Sequence, residues 1–142
     1  MATRIFLDAN VLVAVLNKEY PLFTHAARVL SLCDDSRFEV FTSPICLAIA
    51  GYFAEKKSGK SEAAKKTAVL CQHLKIAAVD AMVVRQTAAN PKVLDFEDGL
   101  EYYAAINAGC TFIITENAED FWFADISVLS CAQFLIEHAS RA

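Results

Sequence analysis

A chain of 142 residues and 15.6 kDa can bury about two-thirds of its unfolded surface as one domain over residues 1–142, with no disulfide or metal needed merely to fold. It is 56% hydrophobic with a mean hydropathy of +0.35, but charges interrupt every apolar run before the roughly 20 residues of a membrane span, and Met1-Ala2-Thr3-Arg4 leads into a strand rather than a signal peptide. The expectation is a cytoplasmic protein with no membrane contact, and a net charge of −4 argues against a simple nucleic-acid binder.

Ile5 to Leu7 reads as a buried strand that delivers a lone carboxylate, Asp8, to its carboxyl end, with a helix starting at once and Asn10 as its expected cap. Tyr20-Pro21 opens a second helix, with Leu22, Ala26, Val29 and Leu30 at helical spacing. Phe38 to Thr42 alternates as a strand, and Ser43-Pro44 starts a helix expected to carry Ile45, Leu47, Ala48, Ile49, Tyr52 and Phe53 into the core. Ser61 is the expected cap of a fourth helix, with Ala68, Leu70, Cys71 and Leu74 facing inward. Ile76 to Val79 follows as a short buried strand, and Asp80 caps a helix that Asn90-Pro91 breaks. Asp95 to Asn107 is helical, with Phe96, Leu100, Tyr103, Ala104 and Ile106 available for packing and Gly109 just past the end. Thr111 to Thr115 is the most strand-like stretch in the chain. Ile126 to Val128 is a last strand, and Ser130 caps a terminal helix. Strands alternating with helices predict a parallel sheet covered on both faces.

Cys33, Cys46, Cys71, Cys110 and Cys131 are odd in number, widely spaced and without a C-x-x-C pair, so they read as buried thiols. Charge is segregated. Lys56, Lys57, Lys60, Lys65 and Lys66 cluster, whereas no Lys or Arg falls between Lys92 and Arg141, where Asp95, Glu97, Asp98, Glu101, Glu116 and Asp120 lie. Asp95 and Asp98 share a helix face, with Glu101 and Tyr102 one turn further along it; capping alone would account for Asp95 and Glu97. Thr115-Glu116-Asn117-Ala118-Glu119-Asp120-Phe121 follows a buried strand, as Asp8 does. If those strands are neighbours, Asp8, Asp98 and one of Asn117 or Asp120 converge. Carboxylates without an intervening cation repel one another, and oxygen ligands alone favour Mg²⁺ or Mn²⁺, the equipment for phosphodiester hydrolysis. The segment from Lys56 to Lys66 would then be a candidate to hold an RNA backbone, against the plainer reading of a solvated surface.

These residues resemble the PIN domain, the fold of VapC-type toxin ribonucleases. Ile5-Phe6-Leu7-Asp8-Ala9-Asn10-Val11-Leu12 resembles its opening strand, and Asp98, eleven residues before Gly109, resembles its acidic helix leading into a Gly-x-x-hydrophobic-Thr strand. Thr115-x-Asn117-x-x-Asp120-Phe121 is similar to its closing loop. The resemblance implies a three-layer α/β/α fold around a mainly parallel sheet of about four to five strands, and a Mg²⁺- or Mn²⁺-dependent ribonuclease held by an antitoxin protein, with a homodimer as a further expectation. It makes Asp8, Asp98 and Asp120 catalytic and Asp8, Asp98 and Asp95 metal-binding. Asn10, Thr115, Asn117 and Glu116 support them, and Lys56, Lys57 and Lys60 contact RNA. Two departures stand out: Ile49 occupies the place of an expected acid, and Asn117 a place often held by Asp. A catalytically impaired relative that binds RNA or protein is therefore the alternative. A haloacid-dehalogenase-like phosphatase would need an acid at position 10, where this chain has Asn10.

Overall fold

The computed structural model describes residues 1–140; Arg141 and Ala142, the end of the expected domain, lie outside the described residues. Strands β1 (Thr3–Leu7), β2 (Phe38–Thr42), β3 (Lys75–Ile76), β4 (Phe112–Ile114) and β5 (Ser127–Leu129) form one all-parallel sheet in the order β3-β2-β1-β4-β5. Helices cover it to give the expected three-layer α/β/α architecture: α1 (Ala9–Leu16), α2 (Leu22–Leu30), α3 (Pro44–Ser58), α4 (Lys60–His73), α5 (Ala81–Ala89), α6 (Phe96–Asn107) and α7 (Cys131–Phe134), the last continued by a π turn over Leu135–Ala139. Ile5, Phe6 and Leu7 are completely buried because β1 is paired on both sides, Ile5 lying opposite Val40 and Phe112. This is why the opening strand reads as a continuous apolar run rather than an alternation.

The chain moves one way along the sheet from β1 to β2 to β3, then crosses to the other side of β1 for β4 and β5. The reversal leaves a crevice beyond the carboxyl ends of β1 and β4, the place where open α/β sheets bind ligands. Asp8 follows β1 directly and Thr115 follows β4 directly, and Asp8 N–H donates to the carbonyl of Ile114 at 3.0 Å.

Several local expectations change. The cap of α1 is Asp8, whose side chain accepts from Ala9 N–H, while Asn10 lies inside the helix. In α3 the buried residues are Cys46, Leu47, Ala50 and Ala54, and Tyr52 and Phe53 are exposed, because α3 packs on α1 and α4 through small residues. Helix α4 starts at Lys60 after Gly59, whose φ of 83° suits glycine, rather than after Ser61. Its inward residues are Ala63 and Leu70, with Leu74 at its end, and Ala68 and Cys71 are exposed. Strand β3 is a two-residue edge strand with Ile76 exposed, not a buried strand to Val79. The cysteines are all free; Cys46, Cys110 and Cys131 are buried, Cys33 is half-buried and Cys71 is exposed.

Candidate metal centre

Asp8 is fixed before any ligand arrives. Its Oδ1 accepts from Ala9 N–H at 2.6 Å, and its Oδ2 accepts from Thr115 Oγ1 at 2.8 Å. Asn10 donates through Nδ2 to Thr115 Oγ1 at 3.0 Å and accepts through Oδ1 from Glu116 N–H at 3.2 Å, so it ties the start of α1 to the loop after β4. Asn117 N–H also donates to Thr115 Oγ1, at 3.1 Å. The Thr115 hydroxyl, with no exposure at all, thus collects two donors and spends its own proton on Asp8.

Helix α6 supplies the facing acids. Asp95 caps it, accepting from Glu97 N–H at 3.0 Å and Asp98 N–H at 3.3 Å. Asp98 and Glu101 lie on successive turns of one face of α6, and with Asp8, Glu97 and Asp120 they line a cavity of about 420 Å³. No Lys, Arg or His lines it among the described residues. The Asp98 carboxyl is pushed up to about 7 by burial and then by Asp95, Asp120, Asp8 and Glu97. Glu97 is also raised, by burial and then by Asp95 and Asp8. A carboxyl raised among like charges in a cleft is a candidate for holding a cation or a proton.

Glu101, noted on the acidic face but given no role there, and Cys46 both bear on Asp8, and Glu19 also lines the cavity. Glu101 is 2% exposed; it hydrogen-bonds to Asp8, and Cys46 Sγ donates to its Oε1 at 3.0 Å. Burial, followed by the contact with Asp8, pushes its carboxyl up to about 11, so it is protonated. Cys46, in the first turn of α3, has its thiol raised well above the usual value by burial and then by Glu101 and Asp8, so it remains a donor to Glu101. The helical spacing of Asp98 and Glu101 was visible in the sequence, but nothing local marked Cys46. Ile49 lines the same cavity, so the position expected to hold an acid does face the site.

The other expected residues divide. Asn117 and Asp120 line the cavity, and Asp95 sits beside it, lining an adjoining cavity together with Asp98 and Asp120. Glu116 turns away: its Oε2 accepts from Cys131 N–H at 2.9 Å, at the start of α7. Lys57 donates to the carbonyl of Asn17, just past α1, and Lys56 lies over the ring of Tyr52 at 4.8 Å. Lys60 faces the groove between α3 and α4. None of these three lysines lines the carboxylate cavity.

Gly99 explains how α6 brings its acids in so closely. A Cβ there would lie 2.4 Å from Thr87 Cγ2 and 2.5 Å from Val93 Cγ1, so only glycine lets the helix settle against α5 and the segment after it. The donor set fits a hard divalent cation: the groups facing the cavity are carboxylate and amide oxygens, and the one nearby thiol stays protonated behind Glu101.

The fold is that of known toxin chains. A VapBC2 structure from Rickettsia felis bound to a DNA fragment from their promoter superposes with a TM-score of 0.68 at 18% identity, covering 90% of this chain and 98% of the other. VapBC-1 from nontypeable Haemophilus influenzae gives 0.68 at 14% identity, over 92% of this chain and 99% of the other. The Mycobacterium tuberculosis sarcin-ricin loop cleaving toxin VapC20 gives 0.60 at 18% identity, over 77% and 86%. A sequence comparison with curated proteins finds no match. The PIN domain family model matches residues 4–119, which take in β1 with Asp8, α3 with Ile49, and α6 with Asp98 and Glu101. The chain therefore belongs to the PIN domain family.

Proposed function

We propose that the protein is a divalent-metal-dependent ribonuclease that acts as the toxin of a toxin–antitoxin pair. The observation that carries this reading is the convergence of Asp8, Asp98, Glu101 and Asp120, with no basic side chain lining the site among the described residues, on a cavity at the switch point of a parallel sheet. Among structural neighbours, the VapBC assemblies support a small protein partner, and the name of VapC20 as a loop-cleaving toxin supports an RNA substrate.

Asp8 and Asp98 would hold Mg²⁺ or Mn²⁺, with Asp95 steadying the first turn of α6. When bound, the ion supplies Lewis acidity at the phosphoryl oxygen and lowers the pKa of water. The chain's own groups do the rest. Thr115 and Asn10 lock the Asp8 carboxylate in one orientation, and the proton on Glu101 neutralises part of the charge behind it. Asp120, which lines the same cavity and lies close enough to Asp98 to raise its carboxyl, would accept a hydrogen bond from the water and orient it. Lys56, Lys57 and Lys60 lie outside the carboxylate cavity, so any contact they make with RNA is to backbone further along the strand.

Cleavage of structured and single-stranded RNA should require Mg²⁺ or Mn²⁺, stop with a chelator, and be absent in Asp8→Asn with the circular dichroism spectrum unchanged. Cleavage persisting in Asp8→Asn would refute the site. Ile49 in the cavity favours a second reading, a domain that binds RNA or protein without cutting. That reading predicts binding indifferent to chelators and no metal-stimulated cleavage.

A further inference from the structure

Next to the carboxylate cavity lies a second one of about 220 Å³, and the two share Asp98 and Asp120 as a common wall. Its other lining residues include Leu94, which is 85% exposed, and Trp122, the chain's only tryptophan, which is 60% exposed. Large apolar side chains left open beside a polar centre need an explanation that the fold does not give. Trp122 is not loosely attached. Its ring meets that of buried Phe123 edge-on, with centroids 6.3 Å apart at 89°, and Phe123 meets Tyr102 in the same way at 5.2 Å. The Tyr102 hydroxyl in turn accepts from Asp125 N–H at 3.2 Å, so an aromatic row running back to α6 supports the indole.

The chemistry of the cavity selects its occupant. Asp95 and Glu119 line its wall together with the shared acids, and no Lys or Arg does so among the described residues, so a phosphate is repelled. A flat, uncharged group with N–H donors on its edge is what remains: it would stack on the indole and donate to the carboxylates. Because the wall is shared with the carboxylate cavity, one chain of linked groups can occupy both. Resting on the ribonuclease reading above, we propose that Trp122 and Leu94 form a subsite that receives one unpaired nucleobase of the RNA, flanking the phosphate held at Asp8 and Asp98. Bases with an amino donor, guanine, adenine and cytosine, are favoured over uracil because the acceptors Asp95 and Glu119 line the wall.

The single tryptophan makes the subsite directly observable. In Mg²⁺, the Asp8→Asn variant keeps this cavity intact and does not consume its probe, because Asp8 is not among the lining residues. Short oligomers of G, A or C should quench its fluorescence more strongly than oligomers of U, and an abasic ribose-phosphate oligomer should leave it unchanged. On the otherwise wild-type background, Trp122→Ala should raise KM for RNA about tenfold with kcat little changed, and Trp122→Phe should recover most of the loss. Leu94→Ala should raise KM about threefold. Equal quenching by the abasic oligomer, no quenching by any oligomer, or an unchanged KM in Trp122→Ala would each overturn the subsite. Quenching by a small protein partner, with none by RNA, would assign the surface to that partner instead and likewise overturn it. The two readings fail separately: wild-type cleavage without quenching removes the subsite and keeps the nuclease, whereas base-dependent quenching without cleavage does the reverse.

Discussion

The two edges of the sheet handle charge in opposite ways. At the amino edge Glu39 meets Arg4 Nε and Lys75 Nζ, each at 3.3 Å, and Asp35 meets Arg37 Nη2 at 2.8 Å. A cavity of about 520 Å³ lies there, larger than the one at the carboxyl edge, but its lining includes both Arg37 and Asp35, already joined to each other. At the carboxyl edge Asp8, Asp98, Glu101 and Asp120 line one cavity with no basic side chain among the described residues. One edge is neutralised by side chains, and the other is left to be neutralised from outside. Cavity size is therefore a poor guide to function here, and unbalanced charge is a good one.

The contrast breaks most completely by removing a carboxylate that has no partner. Mn²⁺ titrated into the wild-type protein in a calorimeter should give a binding isotherm that Asp98→Asn abolishes; an isotherm unchanged in the variant would show that the acids are merely tolerated. The next effect is indirect. Thr115→Val leaves every carboxylate in place but takes away the proton given to Asp8 Oδ2, and metal affinity measured in the same way should fall about 10- to 100-fold. No loss would mean that Asp8 needs no orienting partner.

The pH dependence sharpens the comparison further. Asp98 and Glu101 sit above their ordinary values of 3.8 and 4.5, at about 7 and about 11, so the folded chain binds their protons more tightly than the unfolded chain does. Their contribution to stability is fully present below the ordinary values. It is lost as pH rises through about 7 for Asp98 and then toward about 11 for Glu101. In chelator the urea midpoint should fall between about pH 5 and about pH 9, and Glu101→Gln should flatten the upper part of that fall. A midpoint that rises with pH would contradict the assignment. At the amino edge, Glu39→Gln removes two exposed pairs and should cost no more than about 1 kcal/mol, shrinking as salt is added. A larger loss by urea unfolding would show that this edge also carries structural weight.

How much of this was legible in the sequence follows from how local each cause is. Asp8 could be placed because a buried strand and a helix start surround it within a few residues, and Asp98 because a helix start and Gly109 bracket it. The inward face of α6 was read only in part. Of the expected packing residues Phe96, Leu100, Tyr103, Ala104 and Ile106, Ala104 is buried and Tyr103 and Ile106 pack against the core, but Phe96 is exposed, and Gly99, Glu101, Tyr102 and Ala105 are buried as well. The cause is contact outside the helix: Gly99 sits against Thr87 and Val93, and Glu101 is held by Asp8 and Cys46, so neither burial follows from the apolar spacing of α6 itself. Cys46 carries no local mark because its role exists only through Glu101, 55 residues away. The lysine cluster was read by its charge, but the structure gives Lys57 to the carbonyl of Asn17 and Lys66 to that of Leu16, so part of the cluster closes the end of α1.

The reversal of strand order at β1 divides the centre between two stretches of chain. Asp8, Asn10 and Ile49 precede the turn at Asn90, and Asp98, Glu101, Thr115 and Asp120 follow it. A polypeptide leaving the ribosome therefore carries Asp8 through more than a hundred further residues before Asp120 exists to face it. For a protein whose chemistry would be directed at RNA, this order of strands means that no early stretch of the chain carries the whole centre: its two halves meet only after Asp120 has been made.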